Sequence, residues 1–389
     1  MLDFTLIVLA VAIAVPVAVL CIEVFAGLLP SRIERAPSGR RPRVAILIPA
    51  HDEEVSIALT LRAVGRQLEP GDRLVVVADN CSDATAAIAA TSAAEVVERQ
   101  DRERRGKGYA LDFGVQHLAA KPPEVVIVLD ADCIAGPGAV DRLARLAAVT
   151  RRPVQARYEM AAGRDAGLKG RIAAFAWIVR NYARPLGLAR LGLPCQLMGT
   201  GMAFPWEALR RAPLATSHIT EDVLIGIELA RAGTAPLFCP EASVESAFPA
   251  SDAGMSGQRT RWEHGTIALI SRMPGLLLQS LLRADDALAS IALDLCVPPL
   301  ALLLSLIGTL TLAASLLPGE GAALALKVGL AALAMFTAAV LAAWQRYGTH
   351  VLPISDLARV PVYMLWKLPI YLRFIIKRQS RWIRSNRAK

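Results

Sequence analysis

The sequence predicts an α/β domain built on a parallel sheet, with transmembrane helices on both sides of it. Two observations lead to this fold class. Apolar, β-branched runs that end in polar clusters alternate with helical stretches, which is the pattern of βαβ units. Three apolar stretches each exceed the roughly 20 residues that a helix needs to cross a bilayer. The mean hydropathy of +0.43 is also too high for an ordinary soluble enzyme.

The apolar stretches cover residues 4–29, 286–317 and 322–344, and each is predicted to span a membrane. The first differs from a signal peptide because it has no basic start, too long an apolar run and no A-x-A-like site at its end. It is therefore predicted to be an anchor. Residues 351–376 mix apolar and basic positions with three prolines, and they are predicted to form interfacial helices.

Basic residues predict the orientation of the chain. Five arginines lie between residues 32 and 43, Arg346 follows the third apolar stretch, and residues 377–389 are dense in lysine and arginine. By the positive-inside rule, residues 31–285 and the C-terminal tail are cytoplasmic, in a multi-pass protein of the cell (inner) membrane. The net charge of +9 then suits anionic membrane lipids. The basic residues cluster beside the predicted spans, which argues against nucleic acid as a partner.

Six cysteines show no CxxC spacing, so neither a disulfide framework nor a zinc site is predicted. Two of them lie in the predicted spans. Cys81 and Cys133 lie next to polar clusters and are expected to be small buried packing residues.

Three segments repeat one pattern, an apolar strand that ends in polar residues. The predicted strands are Val44–Ala50, Leu74–Ala78 and Val125–Leu129. They lead into His51-Asp-Glu-Glu, Asp79-Asn-Cys-Ser-Asp and Asp130-Ala-Asp132. The predicted helices between the strands are Val55–Gln67, Ala84–Thr91 and Lys107–Ala119. Because parallel strands end at one edge of a sheet, these three polar clusters are expected to form one site.

Asp130 and Asp132 suit a divalent metal held together with a substrate phosphate. Alone, they are equally compatible with a turn whose aspartates bond their own backbone. No G-x-G-x-x-G and no P-loop motif follows a strand, which excludes the usual NAD and P-loop sites. The run Arg104–Gly108 offers cations, flexible backbone and a helix N-terminus to a phosphate, or else is a solvated basic turn.

The second half of the chain carries three further motifs. Gly199–Phe204 is predicted to be a strand that permits close backbone approach. Thr220-Glu221-Asp222 precedes a predicted helix, where an N-cap and acids are also ordinary helix chemistry. Gln258, Arg261 and Trp262 share one helix face, either as a binding surface for a diphosphate and a sugar or as an interfacial anchor.

Together these motifs resemble the membrane-bound family 2 glycosyltransferases, which include cellulose, chitin, hyaluronan and poly-N-acetylglucosamine synthases. Asp130-Ala-Asp132 resembles the D-x-D motif of that family, Thr220–Asp222 its T-E-D and Gln258–Trp262 its Q-x-x-R-W. The resemblance covers residues 40–285. It implies a GT-A fold with a mixed, mostly parallel sheet, a nucleotide-diphosphate sugar donor (usually UDP) and Mg²⁺ or Mn²⁺.

The resemblance also implies domains and site residues. The expected domains are 1–30 (anchor), 40–160 (nucleotide-sugar half), 161–285 (acceptor half with an interfacial helix), 286–345 (two spans) and 351–389 (interfacial helices and basic tail). Asp222, with Glu221 beside it, would be catalytic as the general base, and Asp132 would ligate the metal. On the donor side, Asp79 and Lys107 would bind the uracil, Pro49 and Glu53 the nucleoside, Asp130 the ribose and Arg261 the diphosphate. On the acceptor side, substrate would be bound by Trp262 with Gly199, Thr200 and Gly201, near Gln258.

The implied reaction is inverting transfer of a sugar to a glycan or lipid-linked acceptor, in polysaccharide biosynthesis and with export or synthase subunits as candidate partners. Two departures stand out: Asp52 replaces an asparagine common in relatives, and three spans are fewer than polymer-secreting relatives have. Single-sugar transfer to a polyprenyl-phosphate or other lipid is the alternative within enzymes. A non-catalytic membrane scaffold or transporter component is the alternative of another class.

Overall fold

The computed structural model describes residues 1–30, 40–161, 167–248, 252–360, 363 and 367. These residues fall into two compact units. A sheet unit comprises described residues of 40–161 and 194–255, and a helical unit comprises those of 1–30, 167–193 and 256–367. The segment 167–193, which the sequence analysis placed within the expected domain 161–285, belongs to the helical unit.

The strands are β1 Val44–Ala50, β2 Arg73–Asp79, β3 Glu95–Arg99, β4 Val125–Val128, β5 Ile134–Ala135, β6 Val154–Ala161, β7 Met202–Pro205 and β8 Leu237–Ala247. The helices are α1 Leu2–Leu28, α2 Ile57–Gly65, α3 Thr85–Ala90, α4 Lys107–Leu118, α5 Ala139–Thr150, α6 Leu168–Ile178, α7 Arg184–Arg190, α8 Trp206–Leu209, α9 Glu221–Arg231, α10 Asp252–Ile270, α11 Met273–Arg283, α12 Asp286–Leu295, α13 Leu300–Leu316, α14 Glu320–Ala343 and α15 Ile354–Leu357. Two π-helical segments, Val179–Ala183 and Trp344–Gly348, continue α6 and α14.

The strands form one mixed sheet in the order β3-β2-β1-β4-β7-β6-β8-β5. The β3, β2, β1 and β4 strands are parallel neighbours, so the polar residues that follow β1, β2 and β4 meet at one edge. Apolar runs predicted β1, β2 and β4, whereas β3 was not predicted. The β7 strand is antiparallel to both β4 and β6, whereas β6 and β8 are parallel. The predicted mixed, mostly parallel sheet is confirmed.

Antiparallel insertion of β7 positions the site. Val128 at the end of β4 lies opposite Met202 at the start of β7. Residues just before β7 therefore lie beside residues just after β4. The predicted strand Gly199–Phe204 is wrong at its start, because Gly199 and Gly201 adopt φ of +90° and +65° and form a turn. At Gly201 a Cβ would also come within 2.9 Å of the Ala156 side chain, so that position has no room for one.

Two helices among the described residues are long and apolar enough to cross a membrane. They are Leu2–Leu28 and Glu320–Gly348. The second predicted span, residues 286–317, is wrong as a single helix, because α12 and α13 bend by 72° at the break between them. Pro298 and Pro299 lie in that break, where each removes a backbone donor that a continuous helix needs. A second bent pair, Trp262–Ile270 with Met273–Arg283, turns by 46°.

A buried charge cluster explains how the apolar helix α1 accommodates Glu23. Arg184 Nε donates to Glu23 Oε2 at 2.5 Å, and the same guanidinium pairs with Asp294. All three side chains are buried inside the helical unit. Paired charges of this kind are far less costly in an apolar environment than an isolated carboxylate. Gly187 lets α7 approach the backbone of α1 at Glu23, since a Cβ there would overlap the Glu23 carbonyl.

Candidate active site

Lys107 joins the residues after β4 to the turn before β7. Its ammonium group forms a salt bridge with Asp130 and donates to the Gly199 carbonyl oxygen at 2.7 Å. Thr200, which is fully buried, accepts a hydrogen bond at Oγ1 from the Asp130 backbone N–H at 3.0 Å. Asp130, Lys107, Gly199 and Thr200 are therefore brought together, although the first half and the second half of the chain each supply two of them.

Two glycines fix the position of Lys107. A Cβ on Gly108 would lie 2.4 Å from the Leu214 carbonyl oxygen, and Gly106 has a φ of +125°. The N-terminus of α4 is thus packed against the backbone of residues 214–217. We expected flexible backbone here, and the structure differs, because close contact rather than mobility requires these glycines. Arg104, from the same run, donates to the Asp101 carboxylate at 2.8 Å.

The two acids in the first turn of helix α9, Glu221 and Asp222, act electrostatically on Lys107. Burial, with Asp222 next to it, raises the pKa of Glu221 to about 8 although Lys107 opposes the shift. Burial alone would lower the pKa of Lys107, but Asp130, Glu221 and Asp222 together raise it above its ordinary value. Lys107 is therefore cationic and Glu221 is largely protonated near neutral pH. A Cβ on Gly199 would lie 3.4 Å from Asp222 Oδ2, which places this carboxylate beside the turn that Lys107 contacts.

Thr220 is the N-cap residue of α9, but its side chain makes no capping hydrogen bond. The Thr220 hydroxyl is instead 3.0 Å from His218 Nδ1, which also accepts from the Thr220 backbone N–H at 3.3 Å. The interpretation of this motif as ordinary helix capping is therefore not supported for the threonine. His218 was not selected from the sequence, because a single histidine in a loop carries no pattern.

Asp130 and Asp132 are close enough to share one cation. Their carboxylate oxygens and Cys133 Sγ lie within 4.8 Å of one another. Burial, reinforced by the two aspartates, raises the pKa of Cys133 well above its usual value, so the group there is a thiol and the oxygens are the donors. Carboxylate oxygens are the ligands that Mg²⁺ prefers, and they also suit Mn²⁺. Asp132 Oδ2 accepts from Ser246 Oγ on β8 at 3.2 Å, which orients it.

The residues after β1 and β2 form a hydrogen-bonded group. The Glu53 backbone N–H donates to Thr85 Oγ1 at 2.7 Å, and its carboxylate accepts from Ser56 at 2.7 Å. Asp52, which has a φ of +53°, accepts from the Ser82 backbone N–H at 2.6 Å. Asp52 therefore holds the loop after β2, which gives this departure from the family pattern a structural role.

Asp79 and Pro49 lie on adjacent strands of the same group. Pro49 lies opposite Val77, two residues before Asp79. Arg99 Nη1 at the end of β3 donates to Asp79 Oδ1 at 2.6 Å, and both residues are buried. Arg99 was missed in the sequence analysis, because its partner lies on a neighbouring strand 20 residues away.

Gln258, Arg261 and Trp262 lie on α10, so the helix predicted for them is confirmed. The side chains of Gln258 and Arg261 are outside the described residues. The Trp262 ring lies 4.8 Å from the Trp177 ring, centroid to centroid, within the helical unit. Of the predicted interfacial helices over 351–376, residues 361, 362, 364–366 and 368–376 are also outside the described residues, as is the basic tail 377–389.

Several basic residues of the predicted positive-inside cluster bind acids of the sheet unit. Arg41 donates to Asp72 at 2.7 Å with its side chain buried, and Arg40 donates to Glu124 at 2.7 Å.

All six cysteines, each of them within the described residues, are free thiols, and five of them are buried. Cys133 is buried as expected, whereas Cys81, also expected to be buried, is only partly buried.

Comparisons with known proteins identify the relatives of this chain. The family described as glycosyltransferase like family 2 matches residues 42–265. A curated protein, the probable glycosyltransferase YdaM of Bacillus subtilis (strain 168), is 38% identical over 99 residues. That match covers 23% of either chain, so the chain spans about a quarter of the length of this curated relative.

One solved structure shows a similar fold. The mannosyltransferase PcManGT from Pyrobaculum calidifontis, in complex with GDP-Man and Mn²⁺, matches with a TM-score of 0.57 at 20% identity, over 88% of this chain and 97% of that one. Glucosyl-3-phosphoglycerate synthase from Mycobacterium tuberculosis, in complex with Mn²⁺, UDP and glucosyl-3-phosphoglycerate, matches with a TM-score of 0.41 at 23% identity. That match covers 61% of this chain and 86% of that one.

Proposed function

The chain belongs to glycosyltransferase family 2, and from this we propose that it transfers a sugar from a UDP-sugar to a glycan or lipid-linked acceptor. We propose further that transfer inverts the anomeric centre and takes place at the cytoplasmic face of the cell membrane. Polysaccharide biosynthesis is the role that this reaction would serve. The main support for the proposal is the position of Lys107, which contacts Asp130 and Gly199 and interacts electrostatically with Asp222. Lys107 thus links an acid proposed to lie on the donor side to the base proposed for the acceptor side.

The metal is proposed to be Mg²⁺ or Mn²⁺, held by Asp132 with Asp130 nearby. The donor set fits, since two carboxylates lie within one coordination sphere of each other and the neighbouring thiol is protonated. A bound divalent ion would act as a Lewis acid toward the diphosphate and stabilise the leaving UDP. Arg261 is proposed to contact the same diphosphate. Ser246 keeps Asp132 oriented through its hydrogen bond.

The donor nucleoside is proposed to lie along the edge formed by β1 and β2. Asp79 would accept a hydrogen bond from the base, while Pro49 and Glu53 line the nucleoside and Asp130 bonds the ribose side. Lys107, which we expected at the uracil, contacts Asp130 and Gly199. Its position supports a role toward the phosphates and the catalytic acids.

Asp222 is the proposed general base, taking the proton of the acceptor hydroxyl as that oxygen attacks the sugar. Attack from the face opposite UDP would give a β-linkage from an α-linked donor. Glu221 is largely protonated near neutral pH, so it can donate a hydrogen bond but cannot compete as the base. Lys107 stabilises the Asp222 carboxylate electrostatically before the proton arrives. Gly199–Gly201, with Gln258 and Trp262, are proposed to shape the acceptor side.

The membrane location rests on two helices that are apolar enough to cross a bilayer. The multi-pass arrangement and the cytoplasmic position of the sheet unit remain part of the proposal, as does attraction to anionic lipids. Membrane fractions washed with alkaline carbonate test it: the chain should stay in the pellet. Release into the supernatant would contradict a spanning arrangement.

Single-sugar transfer to a polyprenyl phosphate or another lipid is a second candidate. It is favoured by the small number of spans, two among the described residues or up to four if each bent pair counts as one. Polymer secretion in this family usually involves more. Both candidates use the same donor site, so they differ only in the acceptor.

One experiment tests the function and separates the candidates. Detergent-solubilised protein is incubated with a panel of UDP-sugars and Mg²⁺ or Mn²⁺, and products are analysed by mass. A ladder of products would indicate a polymerase, and a single addition to lipid would indicate the second candidate. Absence of both UDP release and sugar transfer across a full panel of nucleotide sugars and acceptors would contradict the proposed function.

A further inference from the structure

Asp79 is held by two donors that converge on one of its oxygens. The last residues of β2 and β3, Asp79 and Arg99, lie opposite each other in parallel register. Arg99 Nη1 donates to Asp79 Oδ1 at 2.6 Å, and Asn80 Nδ2 donates to the same oxygen at 2.9 Å. A carboxylate oxygen has two acceptor positions, so Asp79 Oδ1 is saturated.

The second oxygen of Asp79 is the one left for a ligand. Within the part of the chain that the structure describes, no donor is bonded to Asp79 Oδ2. The carboxylate therefore offers a ligand one accepting oxygen instead of two. This matters because the paired oxygens of a carboxylate are what recognise two adjacent N–H donors.

Both donors are themselves fixed, so Asp79 cannot easily exchange its partners. Arg99 Nη2 donates to Asp101 at 3.1 Å and to the Arg104 carbonyl oxygen at 2.7 Å. Asn80 adopts a φ of +53° and accepts from the Asp101 backbone N–H at 2.9 Å. The loop after β3 thus orients the two side chains that occupy Asp79 Oδ1.

Nucleobases differ in the donors that they present to such a group. Uracil presents one ring N–H between two carbonyl groups. Guanine presents a ring N–H and an amino group side by side, which a carboxylate meets with both oxygens. The ring nitrogen of cytosine at the equivalent position is an acceptor and would be repelled by a carboxylate. A single accepting oxygen matches uracil best.

We infer that Arg99 and Asn80 determine donor specificity, by leaving Asp79 one accepting oxygen and so favouring uridine over guanosine diphosphates. The inference rests on the proposed function, whose nucleotide site it deepens. The Pyrobaculum structure was solved with GDP-Man, so a similar fold holds a guanine nucleotide in that protein. Base selection in this chain then comes from side chains and not from the fold.

Binding of four nucleotides to the full-length, detergent-solubilised protein with Mn²⁺ tests the inference by calorimetry. The nucleotides are UDP, GDP, CDP and UDP methylated at N3. UDP should bind about tenfold more tightly than GDP or CDP, and N3-methylation should cost about tenfold, the equivalent of one hydrogen bond to a charged group. GDP binding as tightly as UDP, or N3-methyl-UDP binding as tightly as UDP, would overturn the inference.

A variant tests the role of the second donor. Asn80→Gly keeps the left-handed backbone conformation and frees one acceptor position on Asp79 Oδ1. It should tighten GDP relative to UDP by about threefold or more. Arg151→Gly is the matched control, because Arg151 is exposed and has the same φ of +53°.

The outcomes separate the two levels of the argument. An unchanged UDP-to-GDP ratio in Asn80→Gly, with UDP still bound, would overturn the inference and leave glycosyl transfer intact. Failure of every nucleoside diphosphate to bind the wild-type protein with metal would contradict the proposed function and the inference with it.

Discussion

Lys107 Nζ donates to the carbonyl oxygen of Gly199 at 2.7 Å, across 92 residues of sequence. The same ammonium group is paired with Asp130, and the carboxyls of Glu221 and Asp222 act on it electrostatically. One cation thus stabilises acids from both halves of the sheet unit. Removing it leaves negative charge concentrated at the point where an anionic donor has to bind.

Lys107→Met should lower kcat/KM for the donor by on the order of 10²-fold, as loss of one preorganised electrostatic contact does in other enzymes. UDP release is the measurement. Lys121→Met, at an exposed lysine just beyond the end of α4, is the matched control and should leave activity unchanged. If Lys107→Met were as active as Lys121→Met, Lys107 would have no role in the reaction.

Gly108→Ala should destabilise the protein by about 1–3 kcal/mol, the usual range for overpacking a filled site. The added Cβ would lie 2.4 Å from the Leu214 carbonyl oxygen and 2.6 Å from that of Thr216, so the loop before α9 must move. Thermal unfolding and UDP release are measured together. Gly65→Ala is the control, because nothing lies within 4 Å of its added Cβ, and it should be neutral or slightly stabilising. Similar losses of stability in both variants would argue against a close contact between Gly108 and the backbone of residues 214–216.

Glu221 should make stability fall as the pH rises. The pKa of Glu221 is raised in the folded protein from its ordinary value of 4.5 to about 8, so between these values the folded state binds more protons than the unfolded state. The contribution of Glu221 is therefore fully present below about pH 4.5 and is lost as the pH rises through about 8. Glu221→Gln should flatten this part of the stability profile, as measured by melting temperature from pH 4.5 to 8.5. Glu228→Gln, at a partly exposed position on the same helix, is the control and should leave this part of the stability profile unchanged.

Asp222→Asn should reduce kcat by about 10²–10⁴-fold, the usual value of general-base assistance. Its affinity for UDP should change little, because the proposed base contacts the acceptor. Steady-state UDP release and UDP binding are the two measurements, with Asp112→Asn on α4 as a control for loss of a carboxylate. Full turnover in Asp222→Asn would assign the base to another residue.

Chelation of divalent ions with EDTA should abolish activity, and Mn²⁺ or Mg²⁺ should restore it. Asp132→Asn should raise the Mn²⁺ concentration needed for half-maximal activity by about tenfold or more, because a neutral amide is a weaker ligand for a hard cation. Asp52→Asn is an informative control, since Asp52, Cys81 and Asp83 also bring ligand atoms within 4.8 Å of one another. If Asp52→Asn alone changed the metal dependence, Asp132 would be the wrong ligand.

The elements that could be predicted from the sequence are those with a strong local signal. The β1, β2 and β4 strands are continuous buried runs, and their polar ends meet as expected. The β6 and β8 strands were missed although buried and more exposed positions alternate along them, as in a half-buried strand, because only continuous apolar runs were taken as strands. Pro240 also interrupts β8. Composition also predicted a span over residues 286–317, but Pro298 and Pro299 divide it into two helices.

By itself, the sequence determined the fold class and the chemical types in the candidate site, because apolar periodicity and acid-ended strands are local properties. Asp130 and Asp132 were selected on that basis, and Asp222 through the resemblance of Thr220–Asp222 to the T-E-D motif. Only the tertiary structure decided that β7 enters antiparallel beside β4, that Lys107 reaches Gly199, and that Arg99 occupies one oxygen of Asp79. The physical reason is that these contacts join residues 20 to 92 positions apart, where strand order and packing set the partners and no local pattern encodes them.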